Sequence, residues 1–461
     1  MVSISGLHMV LAAGTFFWLV RALLALSPSL ALLWPVKKIA AIAAMIGATA
    51  YCIFSGSDVA TERSLVMTLV MFGAVLADRP ALSIRNLSIA ALVVLAREPE
   101  ALLGPSFQMS FGAVAAMIAL VPLMQWRSSE TASASLIGKA FAWAARAVCG
   151  VVATTLVASL ATAPFAAYHF QSLNPYGLVG NALALPLVSL VVMPAAVLGV
   201  LSYPFGLDGP VWKLMGFAVA HVLGVSAWVS SFEGSTVVVP APGIGALALL
   251  SAGLLALTIP VSRLRWLALV PAGAGLAFAA APQRYDIYVD RDGAGAAIRA
   301  ARGDLTLVGK PSGFVIEQWL RADGDGRGAG DASLRQAARC DRLGCVVEAG
   351  AQRAVAFVRE FAGFEEDCRR AAIVVTRLEA PASCEAPVVL DRRALAERGA
   401  TAIGLGGEAA EIRSVRKGRE VVPWASGTLI ADSPAKSRPR GARPVSELDW
   451  PGEEISNGEP D

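Results

Sequence analysis

Four short polar groupings lie inside or beside apolar runs of this chain, and each carries side chains that could do chemistry there. The first is Ser3-Ile4-Ser5-Gly6-Leu7-His8, two hydroxyls, a glycine and an imidazole at the head of an apolar run. An ionisable group facing lipid is costly, so His8 is either a pore residue or an interfacial histidine bonded to a neighbouring helix. The second runs from Ser57 and Asp58 to Thr61, Glu62 and Arg63, and has the form of a helix start capped at Asp58 or Thr61. Arg63 could meet a phosphate or pair with Glu62 or Asp58. The third is Gly104-Pro105-Ser106-Phe107-Gln108-Met109-Ser110-Phe111, in which Gln108 and Ser110 can hydrogen-bond between helices. Phe107 and Phe111 share a helix face and could stack on bases or pack in a core. The fourth is Asn181 with Pro186 and Pro194, preceded by Asn174-Pro175 and by Pro164. Prolines free backbone carbonyls, so this run is expected to be kinked, broken or folded back as a re-entrant hairpin, as helices lining transport paths often are.

Other chemistries have no machinery in the sequence. The histidines are His8, His169 and His221, with no H-x-H cluster, no Walker loop and no G-x-S-x-G, so ATP-driven pumping and hydrolysis are not expected. Cys52 and Cys149 lie in apolar runs, whereas Cys340, Cys345, Cys368 and Cys384 lie in the polar C-terminal part. In an oxidising compartment those four could form two disulfides; in the cytoplasm they would be reduced thiols. Zinc is disfavoured, because the spacings are not C-x₂-C pairs and no histidine follows His221.

The elements that must position these groups are helices in a bilayer. The chain has 461 residues, 55% apolar and 16% charged, against about 25% charged for soluble domains. Residues 1–282 hold 13 Lys or Arg and 8 Asp or Glu, net +5, and the remainder holds 26 and 28, net −2. The overall +3 is too small to argue for nucleic acid binding through bulk charge. No basic n-region precedes the first apolar run, so no cleavable signal peptide is expected. Apolar runs at 3–26, 39–56, 64–77, 86–97, 105–124, 141–164, 176–202, 212–232, 244–260 and 266–281 give about ten membrane segments, with 64–77 and 86–97 short enough for half-spans. Lys37, Lys38, Arg79, Arg85, Arg127, Lys139, Arg146, Lys213, Arg263 and Arg265 fall on one side, which is therefore cytoplasmic; Asp58, Glu62, Arg63, Arg97, Glu98, Glu100 and Glu233 fall on the other. Ten spans put the C-terminal part in the periplasm. There, alternating stretches such as Tyr285-Asp286-Ile287-Tyr288-Val289 and Leu305-Thr306-Leu307-Val308, with a helical piece at 391–398 and a Gly/Asp-rich loop at 323–331, predict a small α+β domain. The expected division is 1–282 membrane, 283–432 soluble α+β without metal ligands, and 433–461 disordered.

Ser5-Gly6-Leu7-His8-Met9, Val59-Ala60-Thr61-Glu62-Arg63, Arg79, Arg97-Glu98-Pro99-Glu100-Ala101-Leu102 and Pro105-Ser106-Phe107-Gln108-Met109-Ser110-Phe111 occur in the order of the ComEC/Rec2 competence family, which the chain resembles over residues 1 to about 200. Asn181 and Pro186 match later positions of that pattern; residues 314–324, 340–345 and 386–395 resemble the C-terminal region of its proteobacterial branch. The resemblance implies an inner-membrane channel for uptake of single-stranded DNA in natural transformation. Its implied partners are DNA, the bilayer, a DNA receptor and a cytoplasmic motor, with no cofactor. Site residues carried over are Ser5, Gly6, His8, Arg63, Phe107, Gln108, Ser110 and Asn181. In the family a C-terminal domain of metallo-β-lactamase type degrades the other strand; without an H-x-H-x-D-H cluster the tail is expected to be a degenerate version with no nuclease centre. Met1 falls inside the Ser-Gly-Leu-His motif, so upstream helices and a DNA-binding domain are expected to be missing, and Ser64 stands where alanine is usual. A membrane-bound metal-dependent nuclease or hydrolase and an inactive truncated transporter fragment stay open as alternatives.

Overall fold

Where no water can satisfy the backbone, an apolar run must bond within itself, and each of the ten runs winds into helix. The computed structural model describes residues 6–124, 136–260, 262–282, 284–350, 353–405 and 410–416; Ser5 and the stretch 433–461 lie outside them. Two compact units are present, Met1–Tyr285 with Ser312–Ala332, and Asp286–Pro311 with the residues from Ser333 onward.

The helical unit is built from α1 (Gly6–Ala25), α2 (Pro28–Leu33), α3 (Val36–Phe54), α4 (Val59–Leu76), α5 (Ile84–Arg97), α6 (Pro105–Met124) and α7 (Leu136–Phe170), followed by β1 (Ser172–Leu173), α8 (Gly177–Leu187), α9 (Met193–Ser202), α10 (Asp208–Ser230), β2 (Val237–Val238), α11 (Ile244–Thr258) and α12 (Leu269–Ala280). Among the described residues six helical stretches are long and apolar enough to cross a membrane, within α1, α3, α4, α7, α10 and the continuous 177–205 segment. Shorter apolar helical stretches cover Pro105–Ala119 and Ile244–Thr258.

The run at 64–77, read from the sequence as a half-span, belongs to an 18-residue helix, because the polar residues before it are helical too. Asp58 caps that helix, its Oδ1 accepting from Val59 N at 2.9 Å. The 177–205 run is not a re-entrant hairpin: α8 and α9 are joined by a π-helical turn, Val188–Val192. Pro186 cannot donate to the ladder, and at this irregularity Met193 N donates to Val188 O while Ser189 Oγ donates to Leu185 O at 2.7 Å.

Small residues set the helix spacing. Ala41, Ala44 and Ala48 of α3 bury against Met9 and Ala13 of α1 and Phe72 and Val75 of α4, as expected where close backbone approach replaces a hydrophobic driving force. At the basic end, Lys38 pairs with Asp78 at 2.6 Å. At the other end β1 and β2 pair antiparallel, joining the connections that follow α7 and α10. There Ala241 N donates to Ala322 O at 3.1 Å, in α13 (Gly313–Asp323) of the Ser312–Ala332 segment.

The second unit contains β3 (Ile287–Val289), β4 (Gly295–Arg299), β5 (Leu305–Gly309), β6 (Arg339–Cys340), β7 (Gly344–Ala349), β8 (Arg353–Val358), α14 (Phe364–Arg370), β9 (Ile373–Thr376), β10 (Val388–Leu390), α15 (Arg392–Arg398), β11 (Thr401–Gly404) and β12 (Glu411–Ser414). One sheet has the order β12-β11-β3-β4-β5 and is antiparallel throughout. The other, β10-β9-β8-β7-β6, is antiparallel from β6 to β8 and parallel from β8 to β10, the first parallel step crossing over through α14. Alternate residues of both sheets, Ile287, Val289, Ile298 and Val308 from one and Val347, Val355, Phe357, Ile373 and Val375 from the other, share one core. The opposite face of the second sheet packs Ala356, Val358 and Val374 under Phe364 and Cys368 of α14. This is an α/β region, where the alternating strands predict a small α+β domain.

Candidate functional site

The polar groupings that the sequence scatters over 170 residues meet because four helices have termini at one end of the helical unit: α4 and α6 begin there, α5 and α7 finish there. Arg63, in the second turn of α4, is 7% exposed. Its Nη2 donates to Ser110 Oγ of α6 at 3.3 Å. Its Nε and the neighbouring Thr61 Oγ1 are buried with no hydrogen-bond partner. The carboxylate of Glu98, just past α5, is near enough to act on the guanidinium electrostatically. Burying a charge without a full set of hydrogen-bond partners is costly, so a half-satisfied guanidinium needs a reason to be there.

Beside it, Gln108 of α6 is oriented by Leu102, whose carbonyl accepts from Gln108 Nε2 at 3.0 Å. The amide oxygen then faces His169 at the end of α7, with Oε1 to Nε2 2.9 Å. Since the amide nitrogen is committed to Leu102, the imidazole is the donor in this pair. Glu62, one residue before Arg63, pairs with Arg97 at 2.6 Å, so of the two carboxylates weighed against a phosphate for Arg63, neither is its partner. Gly6 completes the group: a Cβ there would lie 3.2 Å from Ser64 Oγ, and Ser64 is tied to its own helix by donating to Ala60 O at 2.8 Å.

The structure thus brings Arg63 to Ser110 and Gly6 to Ser64 beside Arg63, and separately brings Gln108 to His169, with half-buried His8 in the first turns of α1. It does not bring Asn181 to them; that side chain is exposed on α8. Phe107 and Phe111 stack at 4.2 Å between centroids and are buried with Ala90 and Val94 of α5, so in this conformation neither ring face is open to a base. The sequence reading had not singled out His169, Glu98 or Thr61. Glu98 and Thr61 sit within motifs already noted, whereas His169 carries no local signal, being 61 residues from its partner.

Chemically Arg63 offers guanidinium N–H donors in a buried setting, suited to holding an oxyanion by charge-assisted bonds. Deeper, a cavity of about 150 Å³ lies between α1, α4, α5 and α6, lined by Val10, Met67, Thr68, Met71 and Asn86 among others. Ligand pockets for small molecules usually reach about 300 Å³ or more, so this cavity is smaller than a usual small-molecule site. In the tail, Cys340 is bonded to Cys345 and Cys368 to Cys384. Among the described residues no group of three or more His, Cys, Asp or Glu is arranged to hold a metal.

Comparison with known proteins places this geometry in context. The family model described as Competence protein matches residues 1–264. Competence protein ComA of Neisseria gonorrhoeae is 31% identical over 245 residues, 52% of this chain and 31% of that protein, so the chain spans about a third of the length of this curated relative. No solved structure matches.

Proposed function

The chain belongs to the Competence protein family, and from that premise we propose that its helical unit is an inner-membrane channel segment passing single-stranded DNA toward the cytoplasm, with the Arg63 cluster at its outer mouth. The observation that carries this reading is the buried guanidinium with one hydroxyl partner and an unpaired Nε. A phosphate diester supplies the acceptor oxygens that Ser110 alone does not. Gln108, held by Leu102, in turn holds His169 at the end of α7. Gly6 lets α1 close on α4 beside it, His8 lines the entry, Asn181 on the π-interrupted helix serves lower in the path, and Phe107 keeps α5 and α6 packed around it.

Ten spans with the tail in the periplasm fit the alternation of the ends, with Lys38–Asp78 at the basic side and Glu62–Arg97 at the other. Two disulfides in a domain whose cysteines would be reduced in the cytoplasm support a periplasmic tail. We read the two-sheet tail as a degenerate metallo-β-lactamase-type domain that does not cut DNA, since its sequence carries no histidine to hold the metals. A DNA receptor on the outside and a motor in the cytoplasm are the partners such a channel requires, because the chain shows no nucleotide-binding loop of its own.

The test is Gln108→Leu at the chromosomal locus of a naturally transformable strain. Removing an amide that orients a part-buried imidazole costs about 0.5–1.5 kcal/mol, so transformation is expected to fall roughly two- to tenfold at unchanged protein level. His169→Phe should give the same loss, and the double variant no further one. Independent, additive losses would show that the pair does not act as a unit.

A further inference from the structure

The two disulfides of the tail sit in opposite surroundings. Cys368 is 6% exposed and belongs, with Cys384, to the apolar cluster under α14. The Cys340–Cys345 pair is asymmetric: Cys340 is exposed on the edge strand β6, while Cys345, directly opposite it on β7, is 1% exposed. Arg359, just past β8, donates from Nη2 to Cys345 Sγ at 3.2 Å. Cys340 opens on a cleft of about 900 Å³ walled by Asp341, Gly344 and the α14 residues Glu366 and Arg370.

In thiol–disulfide exchange the sulfur that can be reached is attacked, and the one whose thiolate is better stabilised leaves. Access selects Cys340 and the guanidinium selects Cys345, so both factors choose the same direction. The hairpin does not depend on the bond for its shape. The Asp341 carboxylate accepts from Leu343 N and Gly344 N, each at 2.8 Å, and β7 is held to β8 by a six-residue register.

We propose that Cys340–Cys345 is a thiol–disulfide exchange site for a protein dithiol. A thiolate of the partner attacks Cys340 Sγ, the sulfur–sulfur bond breaks, and its electron pair leaves on Cys345 as a thiolate held by Arg359. The partner's second thiol then gives up its proton and attacks the mixed disulfide. Cys340 is released as a thiol, and two electrons have passed from the dithiol to this chain. The reverse sequence reoxidises the hairpin. Only the cellular setting rests on the periplasmic placement of the tail; the exchange chemistry is a property of the hairpin and is read on purified protein.

The full chain in detergent micelles is exposed briefly to 2-mercaptoethanol, quenched with N-ethylmaleimide and mapped by peptide mass. The expected result is mercaptoethanol on Cys340 and maleimide on Cys345, with Cys368–Cys384 intact. Arg359→Gln should slow opening about tenfold through loss of the stabilised leaving group, and Arg359→Lys should restore much of the rate. Mercaptoethanol on Cys345, opening of Cys368–Cys384 first, or a rate indifferent to Arg359→Gln overturns the proposal. None of these outcomes bears on the DNA path, which is judged by transformation alone.

Discussion

Arg63→Ala is expected to lower transformation by about three orders of magnitude, with the protein still present in the membrane at its normal level. Removing one partner of a buried charge contact costs about 3–5 kcal/mol, and each 1.4 kcal/mol is a factor of ten. Stability moves the other way or little, because the guanidinium is a partly unsatisfied group whose loss relieves a desolvation cost. That separation is the diagnostic: a packing residue would lose abundance and function together, whereas a phosphate contact loses function alone. Arg63→Lys should recover part of the activity, since an ammonium keeps the charge but not the forked donor geometry. Transformation frequency with immunoblotting of membrane fractions reads both quantities. Disappearance of the Ala variant from the membrane would mark Arg63 as structural.

The second large effect lies in the tail. Gly309→Val is expected to unfold the second unit, costing more than about 4 kcal/mol, a size reached only by severe strain or overpacking. Gly309 has φ of +77°, where a β-branched residue is strained, and its Cβ would lie 2.5 Å from Ala294 O and 2.7 Å from Phe357 Cζ, with the ring fixed in the core between the sheets. A substitution of the same kind at Gly303 has open space around it but a φ of +92°, so it should cost much less than at Gly309. Protease resistance of the tail in detergent, followed with temperature, distinguishes the two. If Gly309→Val keeps the resistance of the parent chain, the close approach of β4, β5 and Phe357 is wrong.

The membrane segments were legible because an apolar run in a bilayer has one outcome. Their ends were less so. The helix containing Arg63 starts at Val59, five residues before the apolar run read from sequence, since Thr61, Glu62 and Arg63 count as polar in a hydropathy window yet are helical behind an Asp58 cap, with Glu62 in the first turn. Asp391 shows the same local grammar in the tail, capping α15 by accepting from Ala394 N at 2.8 Å, and there the sequence reading of a helix at 391–398 agrees with the structure. What local patterns could not supply is partnership across the chain. Gln108 and His169 are 61 residues apart and Arg63 and Ser110 are 47 apart; nothing in either neighbourhood names the other. The pairing of Gly295 with Gly309 across β4 and β5 is likewise invisible until the register sets them opposite each other, with Gly309 against Phe357. Phe107 illustrates the converse: a helical aromatic spacing fits a base-stacking face and a core equally well, and only the packing of α5 against α6 decides between them.

Incoming DNA is expected to pass the Arg63 cluster. That passage is tested most directly by placing a photo-crosslinking phenylalanine analogue at Ser110, and as a control at Leu92 on the exposed face of α5, 67% exposed, then irradiating cells during uptake of labelled DNA. The expected result is a covalent adduct of single-stranded DNA at position 110, absent at position 92 and lost when Arg63→Ala is combined with the position-110 probe. Cells that still transform, yet give no adduct at 110 or an equal one at 92, would contradict it.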